Sequence, residues 1–129
     1  MKDASCTIVN KTKSTQAHAG VPFVSIKNKI LGSSYDLSVS FITSLAQRKL
    51  NRTYRHKDKT TNILSFPLSK TSGEITFDLA QVKRDAPEFG MSYTKFLKYL
   101  FIHGCLHLKG YVHSSTMDKA ERKFLAMFS

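Results

Sequence analysis

The periodicity of the chain changes at Leu79, and that change limits the fold more than any other feature of the sequence. Before it stand two runs in which apolar and polar residues alternate. Tyr35–Ile42 (YDLSVSFI) places Leu37, Val39 and Phe41 on one side and Asp36, Ser38 and Ser40 on the other, and Gly73–Asp78 (GEITFD) turns Ile75 and Phe77 inward. Alternation at period two marks a half-buried strand. From Leu79 onward the apolar residues recur at helical spacing. LAQVKRDA runs to a break at Pro87–Gly90, and Ser92 is suited to cap a helix Tyr93–Leu108 bearing Phe96, Leu97, Leu100 and Phe101. Gly110 ends that helix. Ser114–Phe128 is a second amphipathic helix, with Met117, Ala120, Phe124 and Met127/Phe128 on one face.

Shorter elements fill the remainder. Ser5–Asn10 reads as a short edge strand, Lys11–Gly20 as loop, and Val21–Leu31 as a helix whose Val24, Ile30 and Leu31 are apolar with Lys27 and Lys29 between them. Thr43 is a reasonable cap for a helix through Tyr54, with Leu45, Ala46 and Leu50 on its stripe and Gln47, Arg48, Lys49 and Arg52 outside it. Arg55–Thr60 is a charged loop, Thr61–Phe66 a strand that ends at Pro67, and Ser69–Ser72 a turn. The order of elements predicts an α+β fold, a small sheet covered by helices. A length of 129 residues fits one domain over 1–129.

Charge narrows the partners. The chain carries 20 Lys+Arg against 9 Asp+Glu, a formal net charge of +11. That excess asks for an anionic partner: nucleic acid, acidic lipid or an acidic protein surface. No apolar run approaches the ~18 residues needed to span a bilayer. The opening residues lack the apolar stretch of a signal peptide, and Cys6 and Cys105 are too few for a disulfide framework. A cytoplasmic protein without membrane association is expected.

The histidines carry the chemistry. His103 and His107 are four residues apart on the long helix, hence about 40° apart around it and one turn apart along it. They can ligate one ion. Gly110 accepts the backbone conformation of a sharp turn, and such a turn can carry His113 back to the same ion. Three neutral imidazoles with an open fourth position suit a catalytic zinc, one per chain, although nickel, copper and iron also accept histidine. Cys105 points to the opposite face of the helix and fits a small buried apolar residue. His18 and His56 lie in polar segments. HGCLHLKGYVH also has the spacing of the zinc peptidase pattern H-E-x-x-H-x-x-G-x-x-H. There the Glu is the general base, whereas this chain has Gly104, which counts against a protease.

HGCLHLKGYVH closely resembles the HGxLHLxGYDH signature of the YbeY family of rRNA maturation factors. LNRTYRHKDKTTNILSFPL (Leu50–Leu68) and Gly73-Glu74-Ile75 resemble two further blocks of that family. The resemblance runs from about Tyr35 to the C-terminus. It implies an α+β fold with a small mixed sheet, a helix holding two metal histidines, and zinc in a three-histidine site. It also implies a metal-dependent endoribonuclease of single-stranded RNA, acting in 3′-end maturation of small-subunit rRNA and in ribosome quality control. Val112 stands where the family usually has Asp. The arginine of the second block is Arg55, a candidate for stabilising phosphate charge during cleavage. Asp58 could order that loop with Arg55 or Lys57. Lys57, Lys59 and Lys70 could follow the phosphate backbone, and Phe66 could either stack on a base or pack in the core. Two other classes stay open: a non-catalytic, zinc-stabilised RNA- or ribosome-binding protein, and a metallohydrolase of another substrate.

Overall fold

A computed structural model describes residues 6–13 and 20–129. His18 lies outside them. The elements follow in the order β1 (Cys6–Asn10), α1 (Phe23–Leu31), β2 (Asp36–Phe41), α2 (Ser44–Arg55), β3 (Ile63–Ser69), β4 (Ser72–Phe77), α3 (Leu79–Asp85), a 3-10 turn (Ala86–Phe89), α4 (Tyr93–Lys109) and α5 (Ser115–Met127). The four strands form one mixed sheet in the order β1-β2-β4-β3. β1 and β4 flank β2 in parallel, and β3 pairs antiparallel with β4 through a tight hairpin. The expected α+β architecture is therefore observed.

The two faces of this sheet differ, and the alternation read in the sequence is the cause. Leu37, Val39, Phe41, Ile75 and Phe77 lie on one face and are fully buried. They pack with Phe23, Ile26 and Ile30 of α1 and with Phe96, Leu97, Phe101 and Cys105 of α4 in a single core cluster. The opposite face presents Ser38, Ser40, Glu74 and Thr76, and α2 lies against it. Here the helix departs from expectation. Leu45, assigned to the inward stripe, is 63% exposed, while Gln47, assigned to the outside, is buried together with Asn51. A polar face explains the inversion, because its groups need hydrogen-bond partners. Thr76 donates to Gln47 Oε1 at 2.7 Å, Gln47 Nε2 donates to the Thr76 carbonyl at 3.1 Å, and Asn51 Nδ2 donates to the Lys59 carbonyl at 2.8 Å.

Two further elements differ from expectation for local reasons. α1 begins at Phe23 and turns Lys27 inward, where its ammonium reaches Asn28 Oδ1 and the Ser33 carbonyl, while Val24 faces out. β3 does not stop at Pro67 but continues through it to Ser69, with an irregular register between them. A proline lacks the N–H of a ladder bond and is tolerated there because β3 is an edge strand. Cys105 is buried, as expected, and Cys6 is half-buried; both are free thiols.

Gly104 sets how closely α4 approaches this edge. A methyl group there would stand 2.9 Å from Ser65 Oγ and 3.0 Å from the Cδ1 atoms of Ile63 and Ile75. The position at which a zinc peptidase carries its glutamate is thus pressed against β3 and β4. Gly104→Val is expected to lower stability by about 1–3 kcal/mol through overpacking, read as a fall of several degrees in the thermal melt.

Candidate metal centre

α4 delivers two imidazoles and the turn after it delivers the third. His103 and His107 occupy successive turns of one face. At Gly110, with φ +112°, the chain reverses. The Gly110 N–H donates to the His107 carbonyl and the Tyr111 N–H to the Leu106 carbonyl, both at 3.0 Å. This turn brings His113 back over the helix. Ring centroids are 4.5 Å apart for His103–His107, 4.9 Å for His107–His113 and 5.2 Å for His103–His113. One ligand atom from each of the three lies within 4.8 Å of the others, so the triad could hold a metal ion.

Hydrogen bonds decide which nitrogens are free. His107 Nδ1 lies 3.1 Å from the Tyr111 carbonyl, which the same turn presents to it. His103 Nδ1 is bonded to the carboxylate of Glu121, a buried residue of α5. A carbonyl and a carboxylate only accept. Each Nδ1 therefore carries the proton, and in the neutral rings each Nε2 presents a bare lone pair. The two Nε2 atoms face one another at 3.0 Å. Two lone pairs at that separation repel unless a cation lies between them. Nitrogens bound to tetrahedral zinc at ~2.0–2.1 Å stand about 3.3–3.4 Å apart, close to the separation here. The donor set fits a borderline-soft divalent ion. Burial pushes the His107 imidazole below its ordinary pKa; His103 and His113 add to the effect, and the Tyr111 carbonyl and Glu121 oppose it. The shift favours the neutral form of the ring, which is the form that binds metal.

Glu121 is the residue the sequence reading missed. It sits four positions after Met117 and three before Phe124, on the apolar stripe of an amphipathic helix. A charge on that stripe was the available signal. A carboxylate on the outer nitrogen of a ligating histidine fixes the ring and raises its basicity. Among the described residues, no other carboxylate makes a hydrogen bond to the triad. Val112 is 72% exposed.

Arg55 enters the same cleft from the other side. It is the last residue of α2, and the helix ends by two bonds, His56 N–H to the Arg52 carbonyl and Lys57 N–H to the Asn51 carbonyl. His56 adopts the left-handed conformation that this reversal requires. Arg55, Ile63, Leu64, Ser65 and the three histidines line one cavity of about 370 Å³. Asp58 does not pair with Arg55 or Lys57. It takes Arg48 at 2.9 and 3.2 Å and approaches Arg52 at 3.8 Å, and the hydrogen bond from Arg48 holds its carboxyl below the usual range. Among the described residues Arg55 makes no ion pair. Lys57 and Lys59 line a second cleft that also includes Arg55. Lys70 lies in the β3–β4 turn, beyond the far end of β3 and more than about 13 Å along the strand from Ser65.

Residues 3–128 match the family model described as Endoribonuclease YbeY. The chain belongs to this family. An Endoribonuclease YbeY from Pseudomonas putida is 38% identical over 104 residues, covering 70% of this chain and 66% of the relative. The chain thus spans just under two thirds of the length of that curated relative. One from Staphylococcus aureus is 35% identical over 109 residues, covering 74% and 70%. A solution structure of a Thermotoga maritima protein superposes with a TM-score of 0.68 at 26% identity, over 94% of this chain and 87% of that one.

Glu121→Gln tests the geometry of this YbeY-family site. It keeps the size of the side chain and removes the charge that polarises His103. Affinity for zinc, measured by competition with a chromophoric chelator, is expected to fall about 10–100-fold. The metal-free protein is expected to lose stability as pH falls below about 6.5, because His107 takes its proton less readily folded than unfolded. Melting curves across pH 5–8 would show it.

Proposed function

We propose that this chain is a metal-dependent endoribonuclease that cuts single-stranded RNA. The observation that carries the reading is that a cluster of three imidazoles and a guanidinium with no ion pair among the described residues line one cleft. The family description and the names of the relatives support the same reaction class. We further propose zinc as the ion, small-subunit rRNA as the substrate and 3′-end maturation with ribosome quality control as the process, in the cytoplasm. No helix among the described residues is long and apolar enough to cross a membrane.

Each part of the cleft has a task on this reading. A divalent ion held by His103, His107 and His113 would lower the pKa of water and polarise a phosphoryl oxygen. Arg55 receives the scissile phosphate. Its planar fork can give two parallel hydrogen bonds to phosphate oxygens and oppose the charge that grows on them as the bond breaks. Freedom from Asp58 leaves the fork available. Ile63 and Leu64 form an apolar wall, which strengthens these electrostatic contacts by excluding water. Lys57 and Lys59 extend positive charge along the adjoining cleft and draw in the neighbouring phosphates.

The test separates metal from chemistry. Arg55→Ala is expected to keep metal and fold while raising the barrier by about 2–4 kcal/mol, the scale of one preorganised donor. Arg55→Lys should recover only part of the loss. His107→Ala should lose both metal and cleavage. Metal content, melting and single-turnover cleavage of a labelled single-stranded RNA are to be measured on the same preparations. Cleavage at the wild-type rate by metal-loaded Arg55→Ala would remove Arg55 from the mechanism. A metal-loaded wild type that binds RNA without cutting it would leave a binding protein.

A further inference from the structure

We propose that the groove on the α2 side of β3 holds one unpaired nucleobase, guanine foremost, of the strand whose phosphate rests on Arg55. This rests on the endoribonuclease reading and adds a base-reading site to it.

The groove has a volume of about 510 Å³, and Arg55 and Ser65 line both it and the histidine cleft. The two cavities therefore meet across the edge of β3. The histidine cleft takes the Ile63–Ser65 end of β3 and the groove takes Ser65–Leu68, while successive side chains face opposite sides of the sheet. Ile63 and Ser65 point toward α4, while Phe66 points toward α2 and, across the ladder, pairs in register with Glu74. Side chains in such a register stand with Cβ atoms about 4.5–5.5 Å apart. Tyr54, one residue before Arg55, rests its ring on Phe66 with centroids 5.0 Å apart and planes at 58°, yet is 63% exposed. Leu50 and Leu68 complete the apolar lining.

Glu74 decides the occupant. Its carboxylate is half-buried at the side of this groove and makes no hydrogen bond or ion pair with another described residue. A wholly apolar guest would strip water from that charge and leave it without a partner, which is costly. A nucleobase has what both surfaces need, flat faces for Tyr54 and N–H donors at its rim for Glu74. Guanine offers N1–H and the 2-amino group side by side, matched to the two oxygens of one carboxylate. Uracil offers a single N–H between two carbonyl oxygens, which a carboxylate repels. The backbone of the same nucleotide or its neighbour would then lie over the rim, where the Arg55 guanidinium meets phosphate.

The experiment uses metal-loaded protein and 5′-labelled RNA octamers, read by stopped-flow anisotropy before cleavage and then by mapping the cut. The octamers are all uridine, uridine with one guanosine, and uridine with one inosine, which keeps N1–H and lacks the 2-amino group. The guanosine octamer is expected to bind at least about tenfold tighter than the uridine one, with inosine between, and to be cut at a fixed distance from the guanosine. Glu74→Gln should bring the guanosine-to-uridine ratio close to one. Tyr54→Ala should weaken the guanosine octamer about tenfold, the scale of one lost base stack. Tyr54 lies on the helix surface and Gln is isosteric with Glu, so both variants should keep the wild-type circular dichroism. Equal affinities in the wild type, or a ratio unchanged in Glu74→Gln, would overturn the base site while cleavage itself upholds the ribonuclease. If no octamer binds, the ribonuclease reading falls, and the base site with it.

Discussion

The packing of α4 against β3 is the contact on which the rest depends. It is close because Gly104 has no side chain to hold the two apart. From that contact the other positions follow. His103 and His107 flank Gly104 and project beside the sheet edge rather than into the core. Ser65 and Ile63 become a wall of the cleft. Arg55, at the end of a helix on the other sheet face, needs only to reach around one strand to meet them. A bulkier residue at position 104 would meet Ser65, Ile63 and Ile75, push the helix outward and carry the histidines away from Ser65 and Arg55.

α2 is anchored differently. It buries two amides, Gln47 and Asn51, in place of leucines, and each bonds backbone or hydroxyl groups of the sheet and of the loop that follows. Hydrogen bonds are directional, whereas apolar contacts tolerate sliding. An amide-anchored helix therefore has a defined register on the sheet, and the residue at its end has a defined position. The loop after it is tied in turn, by Thr60 to Asp78 and by Asn62 to Asp85 of α3. Arg55 is thus exposed but not loosely placed.

These two features mark the boundary of what the sequence shows. The strands, α4 with its cap and the glycine turn were legible, because alternation, helical spacing and Gly110 each report a local preference. So was the meeting of His103, His107 and His113, since one helix and one turn suffice to bring them together. The inward face of α2 was not legible. A stripe rule assumes an apolar surface beneath the helix, and here the sheet beneath it is polar. Glu121 was missed for the converse reason: a carboxylate within an apolar stripe makes sense only once His103 is known to stand opposite. The pairing of Asp58 with Arg48 and Arg52 depends on how α2 ends, which residue spacing alone does not specify.

The cleft opens where β3, among the described residues, has no neighbouring strand on one side. An unpaired strand is also an invitation to other strands, including those of a second copy of the same chain. Pro67 and the irregular register beside it answer that hazard. Proline withdraws one donor from the row that an incoming strand would have to match, and the irregularity bends the row out of line. The strand thus remains open along Ile63–Ser65, where the cleft needs it, and discourages pairing farther along, so one residue helps to keep an accessible edge from becoming an adhesive one.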